Sequence, residues 1–215
     1  MIFLFLPLSI NLQAEESLSN NGSKVLKTEI LFLGDSLTEG FGVEPEESFP
    51  TLVDEMLKDR GYKNLEIINA GISGSTTASA VSRLKWYLKN RAKPKQGQKS
   101  DILFLALGAN DGLRGLSLKA MEENLNSTIE IALDAKMEVI LAGMEIPPNY
   151  GEKYTQDFRA VFKELATRHK ISLMPYLLKD VGGFYNLNQP DGVHPNADGY
   201  KIVAKNVLPY ILEKL

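Results

Sequence analysis

The chain contains no cysteine, which excludes disulfides, thiol nucleophiles and thiolate metal sites together. Histidine is nearly as scarce. His169 and His194 are the only two, and they lack the close spacing of a helical zinc pair, so no metal centre is expected. Positive charge is not in excess either: 24 Lys and Arg stand against 27 Asp and Glu, a net charge of −3. That balance gives no electrostatic ground for a nucleic acid or an anionic membrane as partner. The apolar stretch at residues 2–12 is too short to span a bilayer as a helix. What remains is an ordinary globular composition, 44% hydrophobic and 24% charged, over 215 residues. This length suits one well-buried domain.

Residues 1–14 read as a signal peptide. Gln13-Ala14-Glu15 has the form of a signal-peptidase site, with Leu12 and Ala14 at the two positions that matter. A basic start is missing, since no Lys or Arg precedes Lys24. The expected location is the periplasm or the exterior, with a cytoplasmic protein carrying an apolar tail as the alternative. Without cysteine the segment cannot be a lipoprotein anchor, and no stable membrane anchor is expected. Residues 15–28 are polar, include Ser19-Asn20-Asn21-Gly22-Ser23, and read as a linker ahead of a domain at 29–215.

Within that domain, apolar runs and amphipathic stretches alternate. Residues 30–33 form an unbroken apolar strand that stops at Gly34. A helix begins near Ser48, with Phe49, Leu52, Val53, Met56 and Leu57 as its apolar stripe, and Gly61 ends it. Residues 65–68 form the second strand and run into a glycine-rich turn at 69–75; a helix follows to about Asn90. A basic loop at 91–100 precedes the third strand at 102–107, which ends on the turn Gly108-Ala109-Asn110-Asp111-Gly112. Then come a helix at 117–135, a strand at 137–142, a helix to about Lys170 and a strand at 171–174. The last helix is expected from Pro195, which would fit its first turn, to Glu213, with Tyr200, Val203, Val207 and Ile211 inward. Five β-α units in a row predict an α/β, three-layer, doubly wound (flavodoxin-like) five-stranded parallel sheet.

In such a sheet every strand delivers its following turn to one edge, where ligands bind. Ser36 follows the first strand, Gly71 the second and Asn110 the third; Asp191-Gly192-Val193-His194 precedes the last helix. His194 is the candidate base, because His169 sits in a charged Thr-Arg-His-Lys stretch at a helix end. Three residues upstream, Asp191 can fold back to accept the imidazole Nδ1–H, which would leave Nε2 facing Ser36. Asp191 can equally cap the turn into the helix, and the two roles are compatible. Ser36 would then be the nucleophile of acyl transfer. The Ser36 and Gly71 amides and the Asn110 side chain would serve as oxyanion donors, Gly71 being suited to close approach of the backbone to a ligand. Asn110 can also be read as a turn former. Ser73 is rejected as nucleophile, because Gly-x-Ser-x-Gly fails at Ser75.

The blocks Gly34-Asp35-Ser36, Gly71, Gly108-Ala109-Asn110-Asp111 and Asp191-Gly192-Val193-His194 resemble the SGNH, or GDSL, hydrolase superfamily. The stretches 34–42, 69–74, 108–115 and 146–151 are most similar to its bacterial periplasmic thioesterase, arylesterase and lysophospholipase group. The resemblance covers about residues 29–215. It implies a triad of Ser36, Asp191 and His194, an oxyanion hole completed by Gly71 and Asn110, and no metal or organic cofactor. Ala109 stands where the group often has a second glycine, and Ser75 where it often has an acid. The expected protein is a monomeric serine esterase for small acyl esters, thioesters or lysophospholipids. Leu113, Leu116, Ile146 and Pro147 are the candidate acyl contacts. The alternatives are a carbohydrate or cell-wall O-acetylesterase and, in another class, a non-catalytic flavodoxin-like binding module. The second has no use for a Ser-Asp-His set. A nucleotide-binding role fails for want of a Gly-x-x-x-x-Gly-Lys or Gly-x-Gly-x-x-Gly motif after a strand.

Overall fold

The computed structural model describes residues 27–91 and 99–215; the signal-peptide reading, most of the linker and most of the basic loop lie outside the described residues. Five strands, β1 (Thr28–Gly34), β2 (Leu65–Gly71), β3 (Ile102–Ala106), β4 (Glu138–Ala142) and β5 (Ser172–Met174), form one sheet in the order β2-β1-β3-β4-β5. Every pairing is parallel. Among the described residues seven α-helices join and flank them: α1 (Ser36–Glu39), α2 (Phe49–Asp59), α3 (Ala80–Asn90), α4 (Ala109–Leu113), α5 (Leu118–Asp134), α6 (Glu152–His169) and α7 (Ala197–Leu212). Helix α2 packs with α7, and α5 packs with α3 and α6. The expected doubly wound architecture is present.

The central strands explain themselves. β3 is buried at every position, as the unbroken run Ile102-Leu103-Phe104-Leu105-Ala106 requires of a strand covered on both faces. Phe32 and Phe104 meet with ring centres 5.2 Å apart, and Phe49 of α2 closes edge-on to Phe32 at 5.5 Å. The inward residues expected of α7 are all fully buried. At β1 the order of strands reverses, with β2 on one side and β3 on the other. The turns after β1 and β3 therefore diverge from a crevice at the carboxyl edge.

Several boundaries differ from the sequence reading. Thr28, assigned to the linker, begins β1 and donates its amide to Asn64 O at 3.0 Å. β2 continues three residues past Ile68 because Asn69, Ala70 and Gly71 pair with Phe32, Leu33 and Gly34. The segment after β3 is the short helix α4 rather than an open turn. Ser48 does stand before α2, but its hydroxyl bonds to Pro45 O and Thr51 Oγ1, both at 2.9 Å, and caps no helix amide. Pro195 lies outside α7. It pairs with Asn188 in an isolated antiparallel bridge, and Asn196 is the cap, accepting the Gly199 amide at 3.0 Å.

Candidate active site

Gly34 ends β1, and Asp35 then turns the chain. Its Oδ1 accepts the Leu37 amide at 3.0 Å, which caps α1 and makes Ser36 the first residue of a helical turn. Gly40, with φ of 88°, closes that turn in the left-handed region that glycine enters freely. Ser36 is thus held half-buried at the carboxyl edge.

The distant partner arrives on the loop before α7. Gln189 anchors it: its amide donates to His194 O at 2.7 Å, and its side-chain Nε2 donates to Phe41 O at 2.6 Å, tying this loop to the chain after α1. Asp191 Oδ1 accepts the amides of Val193 at 2.8 Å and His194 at 3.0 Å, while Oδ2 lies 2.7 Å from His194 Nδ1. Asp191 thus meets the imidazole as expected and closes its own turn, but it does not cap the helix, a role that Asn196 takes. Partial burial raises the Asp191 carboxyl, but the hydrogen bonds from His194 and Val193 outweigh it and hold the group down at about 2. An ionised carboxylate only accepts, so the imidazole proton resides on Nδ1. Its Nε2 lone pair is left 2.8 Å from Ser36 Oγ. The Phe41 ring covers the imidazole at 4.8 Å between centres.

Asn110, in α4, donates from Nδ2 to Ser75 O at 3.0 Å and to Asp35 Oδ2 at 3.4 Å, and it lines the cavity that holds Ser36 and His194. Gly71 differs from expectation. Its amide donates to Asn69 Oδ1 at 3.0 Å, and the space beside its Cα is taken by α1 rather than left for a ligand.

The sequence reading assigned nothing to Asp35 itself, or to Asp111, although both sit inside the motifs it used. Asp111 is buried and accepts the Thr77 amide at 2.9 Å and the Thr77 hydroxyl at 2.6 Å, which fixes the start of the helical segment before α3. Asp35 is fully buried, and burial pushes its carboxyl up to about 6 against opposing hydrogen bonds and the charges of His194 and Arg83. Raised above its unfolded value, such a group favours the folded state fully below about pH 4. It then gives up about 3 kcal/mol as the pH rises through 6. The stability of Asp35→Asn relative to the parent should therefore move in the variant's favour by about that amount between pH 4 and 7. Urea titrations at both pH values test it, and a difference independent of pH would contradict it.

Two adjoining cavities open here. One, of about 310 Å³, holds Ser36, His194, Asp191, Asn110 and Phe41. The other, of about 360 Å³, is lined by Leu37, Leu113, Met144, Ile146, Pro147 and Val193, among others. Leu37, Ala109, Leu113 and Val193 line both, so the second cavity adjoins the one that holds the serine. Of the expected acyl contacts, Leu113, Ile146 and Pro147 are in place. Leu116 lines neither cavity: its side chain is exposed beyond α4, and its carbonyl accepts the Tyr154 hydroxyl at 3.1 Å. Val193, part of the motif used to find His194, was not anticipated as a wall of both. Among the described residues no cluster of metal-ligating side chains occurs, and no helix is long and apolar enough to cross a membrane.

A family model for GDSL-like lipases and acylhydrolases matches residues 32–202, which run from within β1 into the first turns of α7 and include Ser36, Gly71, Asn110, Asp191 and His194. The chain belongs to that family. Within this GDSL family, an arylesterase of Vibrio mimicus is 32% identical over 214 residues, covering 100% of this chain and 97% of its own. The Escherichia coli K12 protein named thioesterase 1/protease 1/lysophospholipase L1 is 33% identical, covering 81% of this chain and 79% of its own. The crystal structure of TesA superposes with a TM-score of 0.80 at 33% identity, over 87% of this chain and all of that one. This GDSL protein is a serine ester hydrolase with the SGNH-hydrolase fold.

Proposed function

We propose that the protein hydrolyses acyl esters and thioesters through an acyl-enzyme on Ser36, with the acyl chain lodged between Leu113, Ile146, Pro147 and Val193. The observation that carries this reading is the pair of contacts Ser36 Oγ to His194 Nε2 at 2.8 Å and His194 Nδ1 to Asp191 Oδ2 at 2.7 Å, in a cavity that shares Leu37, Leu113 and Val193 with its neighbour. Ser36 Oγ attacks the carbonyl carbon and gives its proton to Nε2. The imidazolium so formed is stabilised by Asp191, and it returns the proton to the leaving oxygen or sulfur as the tetrahedral intermediate collapses. Water then repeats the sequence on the acyl-enzyme. The oxyanion is assigned to the Ser36 amide, the Asn110 side-chain amide and the Gly71 amide; Asn110 must turn one N–H away from Asp35 Oδ2 or Ser75 O, and Asn69 must release the Gly71 amide. Asn110→Ala should lower kcat roughly 10²–10³-fold with little change in KM. Steady-state kinetics check this, and an unchanged kcat would remove Asn110 from the oxyanion site.

The apolar walls support medium or longer acyl chains, lysophospholipids among them, and a volume near 360 Å³ falls within the range of small-ligand sites. Hydrolysis of p-nitrophenyl esters from acetyl to palmitoyl tests the class. A maximum beyond acetyl supports the lipid-acyl reading, whereas activity confined to acetyl would replace it with an O-acetylesterase. We further propose that the protein is exported, on the apolar stretch at residues 2–12 and the Gln13-Ala14-Glu15 site. Sequencing the mature N-terminus decides it, and retention of Met1 would overturn it.

A further inference from the structure

We infer that Arg83 is a positioning residue for ester hydrolysis: a single guanidinium nitrogen holds the two strand ends that deliver Ser36 and Gly71. Arg83 lies on α3, and its Nη2 donates to Gly34 O at 3.0 Å and also to Ala70 O. Gly34 is the last residue of β1, two before Ser36; Ala70 immediately precedes Gly71. These strand ends pair with each other, Gly34 opposite Gly71, and Gly34 O also accepts the Ile72 amide at 3.3 Å. The guanidinium therefore sits across the last pairing of the β1–β2 ladder, where the chain passes from sheet into catalytic loop.

The surroundings give the arginine no other evident purpose. Its side chain forms one wall of a groove of about 330 Å³ that Leu31, Leu33, Ile68, Ala70, Ile72 and Trp86 also line. A leucine would pack there at lower cost, since a half-buried guanidinium loses hydration, and burial does lower its pKa. Its Nη1 is buried with no hydrogen-bond partner among the described residues, so the fork is not held by a carboxylate. The two carbonyls are what the head group reaches. Its charge also acts on Asp35, which is faced by His194 from the Asp191 loop, Tyr200 from α7 and Asn110 from α4 as well.

This inference rests on the serine-nucleophile reading, and the test separates the two. The full-length enzyme and its Arg83→Lys and Arg83→Met variants are titrated with a fluorophosphonate, and p-nitrophenyl butyrate kinetics are run alongside. Both variants should lose roughly 10- to 100-fold in kcat, with KM within about threefold, and the labelling rate constant should fall by the same factor. A residue that only holds the fold would lower the labelled fraction and the melting temperature but leave the rate constant of the folded fraction alone. Rate constants within twofold of the parent would overturn the inference. If Arg83→Met fails to fold, the lysine variant decides by the same criterion. A parent that takes no label on Ser36 would overturn the catalytic reading, and this inference with it.

Discussion

Replacing Ser36 by alanine is expected to lower kcat for p-nitrophenyl esters roughly 10⁴-fold or more, with the fold and melting temperature unchanged. The side chain removed makes one hydrogen bond, to His194 Nε2, and is only half-buried, so little packing is lost. What disappears is the hydroxyl that the proposed mechanism uses to attack the acyl carbonyl, 2.8 Å from the His194 imidazole. His194→Ala should cost about as much, and the double variant little more than either, because nucleophile and base act as a unit. Asp191→Asn should cost less than either, since the carboxylate orients and stabilises the imidazole without touching substrate. Its amide could also present the wrong group to Nδ1 and invert the tautomer. Additive losses in the double variant would mean that Ser36 and His194 do not work together.

The second large effect comes from a methyl group. Gly71→Ala should destabilise the fold by roughly 3 kcal/mol and lower kcat at least about 100-fold. A Cβ at this position would lie 2.5 Å from Glu39 Cα and 2.7 Å from the Thr38 carbonyl carbon, and closer still to the Glu39 amide nitrogen. Those atoms are backbone, so no rotamer change relieves the clash. Helix α1 must shift, and Ser36 is its first residue. Gly61 is the control: a Cβ there meets nothing within 4 Å, although its φ of 88° costs alanine a smaller strain. Thermal melts and kinetics on both variants distinguish the cases. A Gly71→Ala protein as stable and active as Gly61→Ala would show that β2 and α1 are not packed as described.

These effects indicate which features a reader of the sequence could see. The β-α alternation was legible because β1, β3 and β4 are continuous apolar runs bounded by glycine or charge, and the helices carry stripes such as Phe49, Val53 and Leu57. The Ser36, Asp191 and His194 cluster was legible because parallel strands send their turns to one edge, and the three-residue offset of Asp191 from His194 suits a folded-back carboxylate. The reason for glycine at 71 was not: the atoms that exclude a side chain belong to α1, 32 residues earlier, and only the strand register brings them together. Arg83 was hidden for a similar cause. In sequence it is one more cation on an amphipathic helix, and its carbonyl partners lie 49 and 13 residues away. Leu116 falls outside the site because Ala109–Leu113 is the short helix α4 and not an open turn. The short helix α4 and the left-handed Gly115, with φ of 62°, carry the next leucine out to solvent.

Acid-quenching the enzyme during turnover of p-nitrophenyl butyrate, followed by peptide mass spectrometry, tests the central claim most directly. The account predicts one butyryl group on the peptide containing Ser36, accumulating in the parent and absent from Ser36→Ala and His194→Ala. Full turnover with no acylated peptide, or acylation at another residue that persists in Ser36→Ala, would contradict it.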